Sequence, residues 1–286
     1  MKIKLKPYLR LLRIRDWRAY FLMAVMGFII GEGYFSSGAE IVVFWTVTFL
    51  ILGFGFSIND CFDTIEDQHT LGRKNPISEK EISFKEGFTF SILLAVLALV
   101  LSAYFDPLIF SFCFLGIITT FFYSAPPVRA KSRPLLGLFF HGFFAGVFFV
   151  ALPILIFTKT ATLFHYLIAG AVFYASITLD LRNYLEDYES DKKANLRTFA
   201  CVVGFERSQK VLKYLTLLYP VVFIPLFLWI APIYFILFLI SSFIFVILFL
   251  SRQDWAIVKN YKLMDAYSAV SFGLVLFANL INIYGG

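Results

Sequence analysis

Charge is scarce in this sequence: only 15% of its 286 residues are Asp, Glu, Lys or Arg, where a soluble domain carries about 25%. Cysteine is scarcer still. Cys61, Cys113 and Cys201 are far apart and form no C-x-x-C pair, which excludes a metal knuckle and a disulfide scaffold and leaves three small apolar packing residues. There is no low-complexity tract, no long linker and no polar stretch large enough for a soluble domain. What is abundant is apolar: 60% of the residues are hydrophobic, with 37 Phe and 15 Tyr. A soluble fold has no interior for that many rings beside so few charges. The composition therefore excludes a cytosolic globular enzyme and a disordered chain, and leaves an integral membrane protein. The net charge of +6 is then the loop-charge bias of such a protein, with no nucleic-acid partner implied.

A bilayer core of about 30 Å needs roughly 20 apolar residues per helix. Nine stretches meet or approach this: 19–35, 41–58, 88–105, 107–123, 136–157, 162–179, 212–230, 232–250 and 266–284. Asp106-Pro107 and Ala231-Pro232 are turn dipeptides, and Thr158 to Ala161 is a polar break, so the spans on either side are antiparallel neighbours. The first stretch has a basic flank but no small-residue cleavage site, and is read as a retained helix. Of the 25 Lys and Arg, all but Lys159 fall before the first span, in the even-to-odd loops or at the start of span 7. That asymmetry predicts a cytoplasmic N-terminus, cytoplasmic loops at 60–87 and 180–211, and a C-terminus on the opposite side. The expected fold is an all-α integral membrane bundle, residues 1–286 forming one polytopic domain. The acidic loops follow spans 2 and 6, an offset that suggests two four-helix halves plus a ninth helix. Gly27/Gly31 and Gly142/Gly146 are close-packing pairs.

The scarce carboxylates are concentrated. Asn59, Asp63 and Asp67 are spaced i, i+4, i+8, so a continuing helix places them on one face, with Asp60 as a fourth oxygen donor beside them. Asp187 and Asp191 repeat the i, i+4 spacing after span 6, and Lys192, Lys193 and Arg197 follow at once. Carboxylates stacked on one face repel unless a cation sits among them, and an all-oxygen set favours a hard ion such as Mg²⁺. Two such faces with cations nearby suit a diphosphate, since Mg²⁺ is held by few carboxylates plus the substrate's own phosphate oxygens. After span 4, Tyr123-Ser124-Ala125-Pro126-Pro127-Val128-Arg129-Ala130-Lys131 presents Arg129 and Lys131 at the same membrane face. His69 reads as a solvated loop residue. His141 and His165 read as neutral histidines bonded between helices, and Arg13, Asp16 and Trp17 mainly as an interfacial anchor.

These three segments together resemble the UbiA family of intramembrane prenyltransferases. The family's N-D-x-x-D-x-x-x-D motif matches at Asn59, Asp60, Asp63 and Asp67. Its D-x-x-x-D motif matches at Asp187 and Asp191, continuing to Thr198, with Ser190 and Asn195 where glycines are common. Its Y-S-x-P-P-x-R-x-K segment matches at Tyr123, Ser124, Pro126, Pro127, Arg129 and Lys131. The Arg-Pro and Gly usual after the first motif are replaced by Arg73-Lys74-Asn75-Pro76-Ile77-Ser78-Glu79.

The resemblance implies a Mg²⁺-dependent prenyltransferase acting on a polyprenyl diphosphate and a small anionic acceptor. That acceptor is either an aromatic ring of the hydroxybenzoate kind or geranylgeranylglyceryl phosphate. Asn59, Asp60, Asp63, Asp67, Asp187 and Asp191 are then the metal ligands. Arg129, Lys131, Arg73, Lys74, Lys192 and Arg197 face the substrate's anionic groups, and the Tyr123 ring faces a carbocation-like centre. No obligate protein partner is implied. The competing readings are a cation-coupled transporter, which keeps its ionisable groups near the midplane, and a non-catalytic prenyl-lipid binder. No midspan acidic or basic residue occurs in the expected spans, which favours the enzyme.

Overall fold

The computed structural model describes residues 5–69, 74–158, 160–251 and 257–284, with the backbone alone at 69, 257–261 and 282–284. The regular elements among the described residues are all helices: α1 (Leu5–Leu12), α2 (Arg18–Ile30), α3 (Gly38–Phe62), α4 (Thr64–His69), α5 (Phe84–Ser102), α6 (Pro107–Ser124), α7 (Pro134–His141), α8 (Phe148–Phe157), α9 (Leu163–Glu186), α10 (Tyr188–Lys193), α11 (Phe199–Val203), α12 (Phe205–Phe227), α13 (Pro232–Ser251) and α14 (Ile257–Tyr284). A π-helical turn, Gly142–Val147, joins α7 to α8 into one span.

Among the described residues, eight helices are long and apolar enough to cross a bilayer. The ninth expected span, 19–35, is the 13-residue α2. At 1.5 Å per residue it is about 20 Å long, short of the hydrocarbon core. The cause is local: Glu32 takes a left-handed φ of 52°, and the chain turns out of the helix before Gly33.

Helix ends follow their residues. Asp106 caps α6 by accepting from the Ile109 amide (2.8 Å), with Pro107 in the first turn. Ser83 and Glu86 form a reciprocal capping box on α5. His165 accepts from the Thr162 amide through Nδ1 (2.9 Å) at the start of α9, so that imidazole is a structural cap.

In lipid, helices associate through close packing rather than through hydrophobic exclusion. Both glycine pairs do this. A Cβ on Gly27 would stand 2.2 Å from the Val150 carbonyl oxygen, so α2 lies directly on the backbone of α8. The Thr158 hydroxyl, at the end of that seam, donates to the Gly31 carbonyl (3.0 Å). Gly142 and Gly146 likewise admit α9, whose Ile177 and Ser176 occupy the space a Cβ would need.

Among the described residues two large apolar cores result, beside a small one of Leu11, Cys61, Ile77 and Ile82. One gathers Val47, Phe54, Ala98, Ile109 and Cys113 from α3, α5 and α6. The other gathers Val172, Leu212, Phe223, Phe245 and Val275 from α9 and α12 to α14. Helix α8 serves both, giving Phe148 and Phe149 to the first and Val150 and Ile154 to the second. The seam between these halves opens at the end where α3 and α9 terminate.

Candidate active site

Both acidic motifs are built the same way. Helix α3 stops at Phe62, and Asp63 takes φ −99°, ψ 16°. Yet the Asp63 amide still donates to the Asn59 carbonyl (3.0 Å), and the Asp67 amide to the Asp63 carbonyl (2.9 Å). The sequence spacing implies an unbroken helix; the structure instead places a bend at Asp63 and resumes in α4. Asp187 repeats this at φ −92°, ψ 7°, with its amide on the Asn183 carbonyl (2.8 Å) and the Asp191 amide on the Asp187 carbonyl (2.8 Å). The full pattern in both halves is Asn-x-x-x-Asp-x-x-x-Asp, and Asn183 was overlooked as the counterpart of Asn59. It was legible from spacing alone, since 59, 63 and 67 recur 124 residues later at 183, 187 and 191.

All six of these residues line a single cavity of about 280 Å³ at the seam. Its mouth also carries Lys131 and Thr198; its inner end is apolar, with Ile51, Leu52, Gly55 and Phe148. Tyr123 lines it beside Phe144, the rings meeting edge to face at 5.2 Å. Lys131, 7% exposed, forms a direct ion pair with Asp63 and lies 3.6 Å from Glu66. An ammonium thus already sits against the first motif's central carboxylate. On the opposite side, burial and the neighbouring Asp187 push the Asp191 carboxyl up to about 7, because two carboxylates leaving water together disfavour the second charge.

The remaining expected residues fall outside the lining. Asp60 is buried behind Asn59, its carboxylate 3.6 Å from Arg13 and its carbonyl accepting from Asn75 (2.7 Å). One residue along a helix is a rotation of about 100°, which turns Asp60 away from the face that Asn59 presents. Arg129 bonds Glu66 directly and the Phe62 carbonyl at 3.3 Å, at the rim. Lys74 is exposed, and its carbonyl accepts from Arg10 (2.8 Å). Lys192 and Arg197 are exposed, Lys192 lying over the Tyr188 ring at 5.8 Å. Arg73 and the His69 side chain lie outside the described residues.

Among the lining residues not expected as site residues are Glu66, Arg13, Asp180 and His141. Glu66 joins the Lys131 and Arg129 cluster. Arg13, read as an anchor, reaches the cavity from a left-handed turn (φ 50°), pairs with Asp16 (2.7 Å) and covers the Phe56 ring at 4.9 Å. Asp180 is 3% exposed and 3.6 Å from His141, which also lines the cavity. The expected span 162–179 stops one residue short of Asp180; α9 runs on to Glu186, so an acidic residue does lie inside a span. It sits six residues from the helix end, about 9 Å in.

Among the described residues, no three carboxylate, imidazole or thiol groups converge tightly enough to cage a metal unaided. The donor set at the mouth is nonetheless all oxygen, from two amides and four carboxylates on two walls. That suits a hard cation shared with a phosphate, which completes the shell with its own oxygens and water.

A family model described as the UbiA prenyltransferase family matches residues 20–280. The digeranylgeranylglyceryl phosphate synthase of Sulfurisphaera tokodaii is 25% identical over 96% of this chain and 98% of its own length. That of Saccharolobus solfataricus is 26% identical over 88% of each. A 4-hydroxybenzoate octaprenyltransferase of Shewanella woodyi is 31% identical over 43% of this chain and 44% of its own. Among solved structures, a UbiA homologue from Archaeoglobus fulgidus bound to GPP and Mg²⁺ superposes with a TM-score of 0.74 at 24% identity, covering 97% of this chain and 99% of that one. A digeranylgeranylglyceryl phosphate synthase structure gives 0.76 at 19%, with the same coverage.

Proposed function

The chain belongs to the UbiA prenyltransferase family and is a membrane-embedded prenyltransferase, and from that premise we propose that it transfers a geranylgeranyl chain, with Mg²⁺, from its diphosphate to geranylgeranylglyceryl phosphate. The observation that carries the donor half is the single cavity with Asn-Asp-Asp walls at its mouth and an apolar inner end. For the acceptor, the relatives that align along most of the chain are digeranylgeranylglyceryl phosphate synthases, whereas the hydroxybenzoate enzyme aligns over less than half. The Mg²⁺ and prenyl diphosphates of the A. fulgidus homologue support the cofactor and donor class.

The residues divide the work. Asn59, Asp63 and Asp67 on one wall and Asn183, Asp187 and Asp191 on the other hold the cation–diphosphate cluster. Bound there, Mg²⁺ supplies Lewis-acid neutralisation of the charge that builds on the departing diphosphate. Lys131, pre-positioned by Asp63 and Glu66, donates to the phosphate oxygens and stabilises the same charge. Arg129 holds Glu66 from the rim. Asp60 positions Arg13, whose guanidinium meets the acceptor's phosphate. Tyr123 turns its ring toward the allylic carbon and stabilises positive charge there. The surrounding helices keep water from capturing that carbon. Arg73, Lys74, Lys192 and Arg197 act on the approach of anionic substrates rather than on the bound state. The N-terminus and the site face the cytoplasm, on the lysine and arginine bias of the loops.

The test is label transfer from geranylgeranyl diphosphate by purified protein offered both acceptor classes, with Asp63→Asn and Asp191→Asn alongside. The expected result is labelled ether lipid, abolished by EDTA and in both variants. Absence of transfer and of diphosphate release, in folded protein with any donor length, refutes the reading. Label in hydroxybenzoate alone refutes the acceptor.

A further inference from the structure

One buried acid in the cavity is unused by the donor machinery. Asp180 is 3% exposed, lines the cavity, and its Oδ2 has no hydrogen-bond partner. A carboxylate buried for structural reasons normally has both oxygens bonded. Here Oδ1 has His141 Nε2 at 3.6 Å, and the Tyr184 hydroxyl lies beside the carboxylate without closing a hydrogen bond of normal geometry on Oδ2. The Ser176 hydroxyl lies 3.1 Å from the other ring nitrogen and 3.4 Å from the His141 carbonyl, which fixes the ring. The pairing is made possible by backbone shape. The π-helical turn begins directly after His141, and a Cβ on Gly142 would stand 2.7 Å from Ile177 Cγ2. This closeness of α7 to α9 brings the imidazole onto Ser176 and Asp180. Widened turns of this kind are common at functional sites.

Depth assigns the role. Asp180 on α9 precedes Asp187, the residue that ends the helix, by seven positions, about 10 Å toward the membrane interior. A diphosphate held between the two Asn-Asp-Asp walls places its allylic carbon inward of them, at the level of Tyr123 and Asp180. A carboxylate there, flanked by His141 and Tyr184, repels the diphosphate and accepts a hydroxyl proton.

We propose that the Asp180 carboxylate accepts the proton of the acceptor's reactive hydroxyl, with His141 as its positioning residue. This rests on the transferase reading above. In the step, the acceptor oxygen forms a bond to the allylic carbon. The bond from that carbon to the diphosphate oxygen breaks, its electron pair leaving with the diphosphate. The hydroxyl proton moves to Asp180 Oδ2 and then out through the mouth.

The experiment compares wild type, Asp180→Asn and His141→Gln in lipid nanodiscs, using a hydroxyl acceptor and its thiol analogue at pH 9, where a thiol, unlike an alcohol, supplies a substantial thiolate fraction without a base. For Asp180→Asn the expected loss in kcat with the hydroxyl acceptor is about 100-fold or more. Its KM for the donor stays within about twofold, and transfer to the thiol stays within about tenfold of wild type, the pre-ionised nucleophile bypassing the base. Slow Mg²⁺-dependent diphosphate release without acceptor still occurs. His141→Gln shows the same pattern with a smaller loss. Equal losses with hydroxyl and thiol, loss of diphosphate release, or wild-type kcat in Asp180→Asn each overturn the proposal. Wild-type protein that releases diphosphate but alkylates neither acceptor overturns the acceptor assignment together with it.

Discussion

Removing the Lys131 ammonium while keeping its methylene packing, as in Lys131→Met, isolates the central electrostatic contact of the site. The two partners are well buried, with side-chain exposures of 8% for Lys131 and 9% for Asp63. Breaking such a pair by deleting one partner costs about 3–5 kcal/mol, because it strands the other charge away from water. A unit pair about 4 Å apart at an effective dielectric constant of about 20 gives a similar figure, about 4 kcal/mol. Glu66 does not share the loss, since Arg129 remains bonded to it. The whole cost therefore falls on Asp63, and Lys131→Met/Asp63→Asn, which strands no charge, should recover all but about 1 kcal/mol of it.

The assay is denaturant unfolding of the four proteins of this double-mutant cycle in detergent with EDTA, repeated with excess Mg²⁺. Expected are a loss of about 3–5 kcal/mol in the single lysine variant, recovery in the double variant, and a larger Mg²⁺ stabilisation in Lys131→Met than in wild type. A divalent ion then replaces the missing ammonium beside Asp63. Transfer activity falls in Lys131→Met at saturating Mg²⁺ as well, because the phosphates lose a donor. Additive losses in the cycle, or wild-type stability in Lys131→Met, refute the assignment of Lys131 as the cation that Asp63 requires.

Three further outcomes follow from particular contacts. Because burial and Asp187 push the Asp191 carboxyl up to about 7, it holds a proton in the metal-free protein at pH 6 and has lost it by pH 8. Mg²⁺ affinity by titration should tighten by up to about tenfold across that range, as ligation displaces the proton. The folded-state value of about 7 lies above the unfolded 3.8, so the associated stability is fully present only below the unfolded value and is lost as pH climbs through that value to about 7. Asp191→Asn should flatten both profiles, and an unchanged slope refutes the assignment. Gly27→Ala should lower thermal stability by about 1–3 kcal/mol, since the new Cβ would stand 2.2 Å from Val150 O. Gly38→Ala meets nothing within 4 Å and should be neutral or slightly stabilising; equal effects refute the close approach of α2 to α8. Gly55 lines the apolar end, and its nearest neighbour to an added Cβ is Thr120 Cγ2 at 3.4 Å. Gly55→Phe should fold and shift kcat/KM from geranylgeranyl toward dimethylallyl diphosphate by about tenfold, the effect of excluding about two methylenes. An unchanged ratio places the isoprenyl chain elsewhere.

Much of this architecture could be read from the sequence because the bilayer imposes it. Long apolar runs become helices when every backbone group must be satisfied internally, and α6 and α13 begin at the prolines of their turn dipeptides. The carboxylate spacing was equally legible, since i, i+4 positions stay neighbours even where the helix bends. The bends were not. Neither Asp63 nor Asp187 has a glycine or proline beside it, so nothing local announces a stop. Asp180 was hidden by an apolar window that ended at Leu179, and Arg13 by a basic N-terminal block that resembles an anchor. The choice between Arg129 and Lys131 as the buried cation depended on tertiary placement. Two residues apart in a turn, they diverge because Arg129 sits at φ 41° and aims back over α4, while Lys131 enters the seam.

The 124-residue correspondence separates what the two halves share from what they do not. Asn59, Asp63 and Asp67 match Asn183, Asp187 and Asp191, and all six line one mouth. Like groups on two walls suit a ligand that is itself nearly symmetric in charge, as a cation-bridged diphosphate is. One turn before each Asn the correspondence fails: Phe56 stands where the second half has Asp180, and both line the cavity. Phe56 lies under the Arg13 guanidinium, whereas Asp180 is beside His141. Below a symmetric mouth, then, one wall offers a cation on an aromatic face and the other a carboxylate beside an imidazole. Such a pair of walls can tell the two ends of an acceptor apart, seating an anionic headgroup toward Arg13 and a hydroxyl toward Asp180. On the proposed reading the positions shared by the two walls serve the diphosphate and the departures from that correspondence orient the acceptor, so substitution at Phe56, Arg13 or Asp180 should alter acceptor choice before it alters donor binding.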